Sequence, residues 1–220
     1  ASGPRPAGER ALFVARGEIF SAPVDEGLTR NLTRSSGAHD RDAAWSPRGD
    51  LVAFISDASG EDEIWLVDHA GKAPARQLTK GHDGRLNGLD WSPDGARLAF
   101  TDYLGDATWS PDGKHIAFSL RNEAQVQRIH VWTVGTEAPV QVTSDLASCW
   151  SPSWSPDGQY LFHLSDRHYA PQISDLEWDY AGNERARIYA RALRKDVPHL
   201  FPPLDDEVAV ATDEEAEDAG

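Results

Sequence analysis

Short apolar segments alternate with turn residues along this chain. Four of these segments are rich in β-branched and aromatic residues, and each follows a Gly/Pro turn: residues 51–55, 98–100, 116–118 and 160–162. Segments this short, bounded by Gly, Pro and Asp, are typical of β-strands rather than helices. The pattern therefore predicts an all-β chain assembled from hairpins.

The turn before each apolar segment repeats one motif, Trp-Ser-Pro-Asp/Arg-Gly. Pro presets φ near about −65° in a tight turn, and Gly accepts the position where φ becomes positive. The Trp precedes the turn and is expected to pack between neighbouring hairpins, since aromatic side chains bury about 150–250 Å² each. The repeated structural residues are Trp45, Pro47, Gly49, Trp91, Pro93, Gly95, Trp109, Pro111, Gly113, Trp154, Pro156 and Gly158.

The spacing of the motif predicts the architecture. A repeat of about 40–45 residues that holds four short strands is typical of a β-propeller blade. The unit around Trp45 supplies such a set, with strands predicted at 42–46, 51–56, 63–67 and 76–79. We therefore predict a β-propeller of about four to five four-stranded blades. One blade is truncated, because Trp109 follows Trp91 too closely for a complete blade between them.

The predicted domain covers residues 1–204, and residues 205–220 form an acidic tail that we expect to be disordered. In the last blade, residues 199–201 are the candidate fourth strand. The blades are expected near residues 6–33, 40–79, 87–102 (partial), 106–143 and 150–202.

The propeller has to close, because an incomplete ring would expose unpaired strand edges. The sequence allows three ways of closing it. One solution is a small four- or five-bladed ring formed by one chain. A second is a repacking in which the Trp109 hairpin supplies the outer strands of the Trp91 blade. The third, which we favour, is association of several chains, so we predict a homo-oligomer.

Charge and composition limit the classes of binding partner. The formal net charge is −15, which argues against nucleic acid because phosphate binding needs Lys and Arg. No apolar run approaches the length of a membrane span, so no membrane is expected as a partner. The single Cys149 excludes an internal disulfide and any cysteine-based metal cluster. The chain begins without Met and without a signal peptide, so we expect a processed chain or a fragment, with the cytoplasm as default.

Motifs for catalysis are missing from the sequence. It contains neither a Gly-x-Ser-x-Gly nucleophile motif nor a His-Glu-x-x-His metal motif. The acidic stretch 57–63 lacks the ligand spacing of a calcium loop and is interpreted as a solvated hairpin loop. We therefore predict no catalytic residue, no metal and no cofactor.

A binding site, if the propeller has one, is expected in the axial channel lined by the innermost strands. Polar residues near those strands would form an acidic, hydrogen-bonding rim suited to basic or amine-bearing peptides. These candidate binding residues are Asp42, Asn87, Asp90, Asp106 and Ser153.

An ordered set of segments resembles the propeller region of tricorn-type proteases. The set comprises residues 15–20, 29–34, 41–47, 56–61, 164–168 and 187–196. The Trp-Ser-Pro-Asp-Gly motif alone is less specific, because TolB-like propellers share it. The resemblance implies propellers that flank a separate serine-peptidase portion, guide peptides and work in a homo-oligomer. No catalytic residue is carried over, because the resemblance does not extend to that portion.

The truncated blade departs from the tricorn pattern, and the chain stops before the propeller would be complete. A fragment or an engineered form of such a propeller is therefore expected. Our main hypothesis is a non-catalytic module with a structural or self-assembly role, or with a role in binding peptides or proteins. One alternative is a small propeller hydrolase that uses two channel carboxylates. The other is an accessory subunit that docks to a serine peptidase.

Overall fold

The computed structural model describes residues 8–101, 106–168 and 186–202, together with the backbone of residues 172–173 and 180–181. This part of the chain contains 18 β-strands and no helix, in agreement with the all-β prediction. Within it, no helix could therefore be long and apolar enough to cross a bilayer.

The strands form five consecutive antiparallel sheets and one small strand pair. Sheet 1 contains Arg10–Ala15 (β1), Glu18–Pro23 (β2) and Arg30–Asn31 (β3). Sheet 2 contains Arg41–Trp45 (β4), Leu51–Ser56 (β5), Glu63–Asp68 (β6) and Arg76–Gln77 (β7). Sheet 3 contains Asn87–Trp91 (β8) and Leu98–Thr101 (β9). Sheet 4 contains Ala107–Trp109 (β10), His115–Arg121 (β11), Gln127–Thr133 (β12) and Val140–Gln141 (β13). Sheet 5 contains Cys149–Trp154 (β14), Tyr160–Ser165 (β15) and Arg187–Ala192 (β18), and the separate pair is Gln172–Ile173 (β16) with Tyr180–Ala181 (β17).

The repeated motif forms the predicted tight turn in sheets 2 to 5. In sheet 4 the Gly113 N–H donates to the Ser110 carbonyl at 2.9 Å, and the Ser110 N–H donates to the His115 carbonyl at 2.8 Å. The four motif glycines have φ between 68° and 70°, the left-handed region that Gly occupies without strain. The Ser110 hydroxyl also donates to Asp112 at 2.6 Å, and this bond holds the pKa of that carboxyl below its ordinary value.

The turns of successive sheets also touch one another. A Cβ placed on Gly95 would lie 3.5 Å from Cδ of Pro47 in the preceding turn, and Gly113 has the same relation to Pro93. The motif therefore lies on one edge of the molecule, with each turn packed against the turn before it.

The hydrophobic core lies between consecutive sheets. Residues of sheets 1 and 2 form one cluster, those of sheets 2 and 3 another, and those of sheets 4 and 5 a third. Trp45 and Trp109 are buried, as expected for the repeated Trp. The indole N–H of Trp91 donates to the Ala44 carbonyl at 3.2 Å, and that of Trp154 donates to the Thr108 carbonyl at 3.1 Å. These two Trp side chains thus link neighbouring sheets.

The structure excludes one alternative that the sequence left open and one candidate strand. The Trp109 hairpin does not serve the Trp91 unit, because β10 and β11 continue into β12 and β13 of their own sheet. Residues 199–201 are not a strand, and sheet 5 has three strands in the described part of the chain. A run of three residues carries no register signal of its own, since its pairing depends on the partner strand. Most of the insertion after Ser165 and all of residues 205–220 lie outside the described residues, as do residues 1–7 of the predicted domain.

Candidate functional site

The first strand of each of sheets 2 to 5 lies on the inside of the arrangement. Strand β4 contacts β8, β8 contacts β10, and β10 contacts β14, so these strands follow one another around the interior. Side chains that point away from the sheet cores here would face the axis of a propeller. This surface is the candidate binding site that the sequence analysis indicated.

Three of these inner strands carry the same irregularity. The register shifts between Arg41 and Ala44 in β4, between Asn87 and Asp90 in β8, and between Trp150 and Ser153 in β14. Such β-bulges bend a strand and re-aim its side chains. In each bulge the residue three positions before the repeated Trp has a positive φ. These residues are Asp42 (51°), Gly88 (55°) and Ser151 (50°).

Asp106 holds the same position in its own sheet, three residues before Trp109. Its carboxylate accepts a hydrogen bond of 2.8 Å from the Ser151 hydroxyl of the next sheet. Equivalent residues of adjacent sheets therefore meet on the inner surface. Asp42 and Asp106 are both exposed.

Asp90 differs from the other candidates. It lies in β8, and its carboxylate accepts a hydrogen bond of 2.8 Å from the backbone N–H of Trp109 in the next sheet. Burial raises the pKa of this carboxyl above its ordinary value, although the bonds from Trp109 N–H and the Thr108 hydroxyl partly oppose the shift. Asp90 thus links sheets 3 and 4, and its carboxylate is already occupied.

The remaining candidates lie on the same strands. Asn87 is half-buried, and its carbonyl accepts a bond of 3.2 Å from the Thr101 hydroxyl. Ser153 is exposed on β14, opposite Phe162. No two of the five predicted residues share a hydrogen bond.

Sequence reasoning missed two groups of residues. Ser151 was overlooked in favour of Ser153, although its place three residues before Trp154 was a usable signal. The second group surrounds a polar cleft of about 440 Å³ at the start of β4, where Arg41 pairs with Asp62. Arg41 also donates to the Leu86 carbonyl at 2.9 Å. The stretch 57–63, interpreted as a solvated loop, therefore includes a carboxylate that ties sheet 2 to the segment before β8.

The carboxylates of this surface bear on the hydrolase alternative. A hydrolase with two channel carboxylates needs one of them to be protonated and the other ionised. Burial raises the pKa of Asp90, but the carboxylate of this residue is bound to the backbone N–H of Trp109. The described part of the chain holds no cluster of three or more His, Cys, Asp or Glu side chains arranged to bind a metal ion.

Comparison with known proteins agrees with this architecture. The chain is 25% identical to tricorn protease homolog 1 of Streptomyces coelicolor over 88% of its own length, and it spans 21% of that relative. Its fold resembles that of the tricorn protease crystal structure, with a TM-score of 0.68, 17% identity and coverage of 93% of this chain and 23% of that one. It also resembles a TolB-type protein of Agrobacterium tumefaciens, with a TM-score of 0.60, 20% identity and coverage of 87% and 76%. The predicted β-propeller fold and the predicted resemblance to tricorn-type propeller regions are both confirmed.

The matched family is described as the dipeptidyl peptidase IV (DPP IV) N-terminal region, and the match covers residues 9–147. That range is more than half of the chain and runs from sheet 1 to the connection between sheets 4 and 5. The chain therefore belongs to the family of the dipeptidyl peptidase IV N-terminal region.

Proposed function

We propose that this chain is a non-catalytic β-propeller module whose inner strands bind an extended basic peptide. The observation that carries the proposal is the repeated inner position three residues before each Trp. In sheets 2, 4 and 5 this position holds Asp42, Asp106 and Ser151, whereas sheet 3 has Gly88 there, and the two carboxylates are exposed. Carboxylates on a concave surface attract Lys and Arg side chains, and the net charge of −15 strengthens that attraction at long range.

Fluorescence anisotropy with a labelled Lys/Arg-rich peptide tests this binding. We expect Asp42→Asn combined with Asp106→Asn to weaken it by about tenfold, since each rim charge contributes roughly 0.5–1 kcal/mol. The matched control combines Asp25→Asn and Asp83→Asn, which removes two exposed charges outside the inner strands. Equal weakening by both pairs would mean that net charge alone attracts the peptide, and no weakening by either would contradict the proposal.

The same peptide can report on catalysis. If the module is non-catalytic, the mass of the peptide stays unchanged after prolonged incubation with the protein. Mass spectrometry measures this mass directly. Cleavage that Asp42→Asn or Asp106→Asn abolishes would instead support the hydrolase alternative.

We also infer a role in self-association, which the two end sheets support. Leu12 of β1 packs toward sheet 2, so the alternating Phe13 points away from it and is 53% exposed. In sheet 5, Ile188 is 76% exposed. In sheets 2 and 4 the corresponding face packs against the following sheet. The last face of one copy would therefore pack against the first face of another, in a head-to-tail arrangement.

Light scattering after size exclusion tests the association. We expect a mass that is a multiple of 24.1 kDa, and we expect Ile188→Glu to reduce it to that of a single chain. A single-chain mass for the wild type at every concentration would contradict the self-association, without affecting the peptide-binding proposal.

A further inference from the structure

The junction between sheets 3 and 4 differs from the other three junctions. At each of those three, an isoleucine on the strand before the last strand of its sheet lies in the core between two sheets. These residues are Ile19, Ile64 and Ile129, with exposed fractions of 0%, 1% and 0%. The described residues form no such cluster between sheets 3 and 4.

The three isoleucines occupy one structural position. Each N–H donates to the hydroxyl of a Thr that follows the next strand, as Ile64 does to Thr79 at 2.9 Å and Ile129 to Thr143 at 2.9 Å. Each carbonyl accepts an N–H from the residue before that Thr, at 2.7 Å for Ile64 and 2.9 Å for Ile129. Ile19 makes the same pair of bonds with Thr33 and Leu32. Sheets 1, 2 and 4 therefore each present this isoleucine to the following sheet.

Sheet 3 cannot supply the equivalent residue. It ends with β9, and only residues 102–105 separate β9 from Asp106 at the start of sheet 4. Four residues extend over at most about 14 Å, too short for two further strands and their turns. The outer edge of β9 thus carries no strand in the described part of the chain.

A groove occupies the position of the missing strand. We call it the junction groove; it has a volume of about 440 Å³ and is lined by β9 together with β10, β11, Trp132 and Pro139. None of its lining residues is charged. Two of them are large and partly exposed, Phe100 (43%) and Leu120 (46%).

Comparison with sheet 2 shows what the groove lacks. The register pairs Trp45 with Val52 and Trp109 with Ile116, so Val52 and Phe54 of β5 correspond to Ile116 and Phe118 of β11. Val52 and Phe54 are fully buried because Ile19 and Leu32 of sheet 1 pack on them. Ile116 and Phe118 are only half-buried and line the groove instead.

We propose that the junction groove binds an extended, uncharged peptide segment that adds to the outer edge of β9 as an antiparallel strand. The segment carries Ile or Val at the position that Ile64 and Ile129 occupy in complete sheets. Edge strands bind such segments through backbone hydrogen bonds, and pockets between sheets select alternate side chains. The volume lies within the range of natural ligand sites. An acidic segment is disfavoured by the uncharged lining and by the net charge of −15. This site is separate from the inner-strand surface and goes beyond the function proposed above.

The probe is the peptide acetyl-Asn-Gln-Ile-Thr-Val-Thr-Asn-amide with a fluorophore on an N-terminal linker, measured by anisotropy against the full chain. We expect saturable binding that weakens by at least about tenfold when Ala replaces its Ile. Leu120→Glu places a charge in the groove opposite Arg128, where the new pair is compatible with folding. This variant should lose the binding. The matched control is Leu146→Glu, because Leu146 is 91% exposed and lies outside the groove.

The results of these measurements distinguish a bound peptide from a second copy of the chain in the junction groove. Binding that requires the Ile and survives only Leu146→Glu supports the proposal. Absence of binding, equal binding of the Ala peptide, or equal loss in both variants overturns it. A wild-type chain that is dimeric by light scattering and becomes monomeric with Leu120→Glu would mean that a second copy fills the groove, which also overturns it. Urea midpoints of the two variants check that both remain folded.

Discussion

A pair of isoleucine substitutions tests the packing between sheets directly. Ile129 and Ile188 occupy equivalent positions, because Ser119 pairs with Ile129 as Leu164 pairs with Ile188. Ile129 is fully buried between sheets 4 and 5, whereas Ile188 is 76% exposed. The two sites therefore match in residue type, in strand position and in the pairing of their strand with its neighbour. They differ in whether a following sheet covers the isoleucine.

The expected magnitudes follow from burial. Ile129→Ala removes three carbon atoms from the core, about 2.4 kcal/mol of transfer free energy at roughly 0.8 kcal/mol each. The cavity left behind adds about 1 kcal/mol, for a total loss of about 3–4 kcal/mol in the free energy of unfolding. In a single chain, Ile188→Ala removes exposed atoms and should change that free energy by less than about 0.5 kcal/mol, apart from a few tenths for the weaker strand propensity of Ala. The two variants are therefore compared at a chain concentration at which light scattering gives the mass of one chain, since the proposed self-association would cover Ile188.

Urea unfolding followed by Trp fluorescence measures both variants, because repeated Trp residues lie at the sheet junctions. With an m-value of about 2–3 kcal/mol/M, the midpoint should fall by more than about 1 M for Ile129→Ala and remain almost unchanged for Ile188→Ala. Equal losses in the two variants would refute the reasoning, since they would require Ile188 to be covered as completely as Ile129. In that case the measurement should be repeated at several chain concentrations, because cover by a second copy depends on concentration.

Three further predictions concern individual side chains. Desolvation raises the pKa of the half-buried Asp90, so its ionisation lowers stability as the pH rises through that pKa. Between about pH 4 and about pH 7, the free energy of unfolding of Asp90→Asn should therefore increase relative to that of the wild type. A relative decrease would contradict this prediction. For Glu63, burial opposes ionisation, but bonds from the Thr79 hydroxyl and the His82 N–H hold its pKa below the ordinary value. The stability deficit of Glu63→Gln should accordingly shrink as the pH falls below about 4.5, as urea titrations at a series of pH values would report. Gly113→Ala should lower the free energy of unfolding by about 1–2 kcal/mol, because φ is +68° there, whereas Gly113→Asn should lower it less; equal losses would argue against backbone strain as the cause.

The hairpins and their turns could be predicted from the sequence because their determinants are local. Pro111 and Gly113 set the backbone of one turn, and the Ser110 hydroxyl holds the carboxylate of Asp112 within the same five residues. Strand β5 was predicted with its observed bounds, since an apolar run between two turns leaves little choice of conformation. Repetition of these local signals was enough to indicate a propeller.

The binding surface was predicted less completely, since side-chain direction depends on register. The inner strands were identified, and Asp42 and Asp106 were placed on them, but the bulges that aim Asp42 and Ser151 were not visible in the sequence. A bulge arises where one strand must accommodate an extra residue against its partner, so pairing has to be known first.

Contacts between sheets were decided by the tertiary structure alone. Asp90 resembled Asp42 in the sequence, yet it is half-buried, and its carboxylate accepts a hydrogen bond from the backbone N–H of Trp109 in the next sheet. Leu120 likewise resembled any other strand residue, and it borders an open groove because sheet 3 stops after two strands. Local chemistry in the sequence determined each hairpin of this protein. Packing across the junctions decided which identical-looking residues are buried, bound or open to a partner, because burial depends on the neighbouring sheet and not on the residue's own strand.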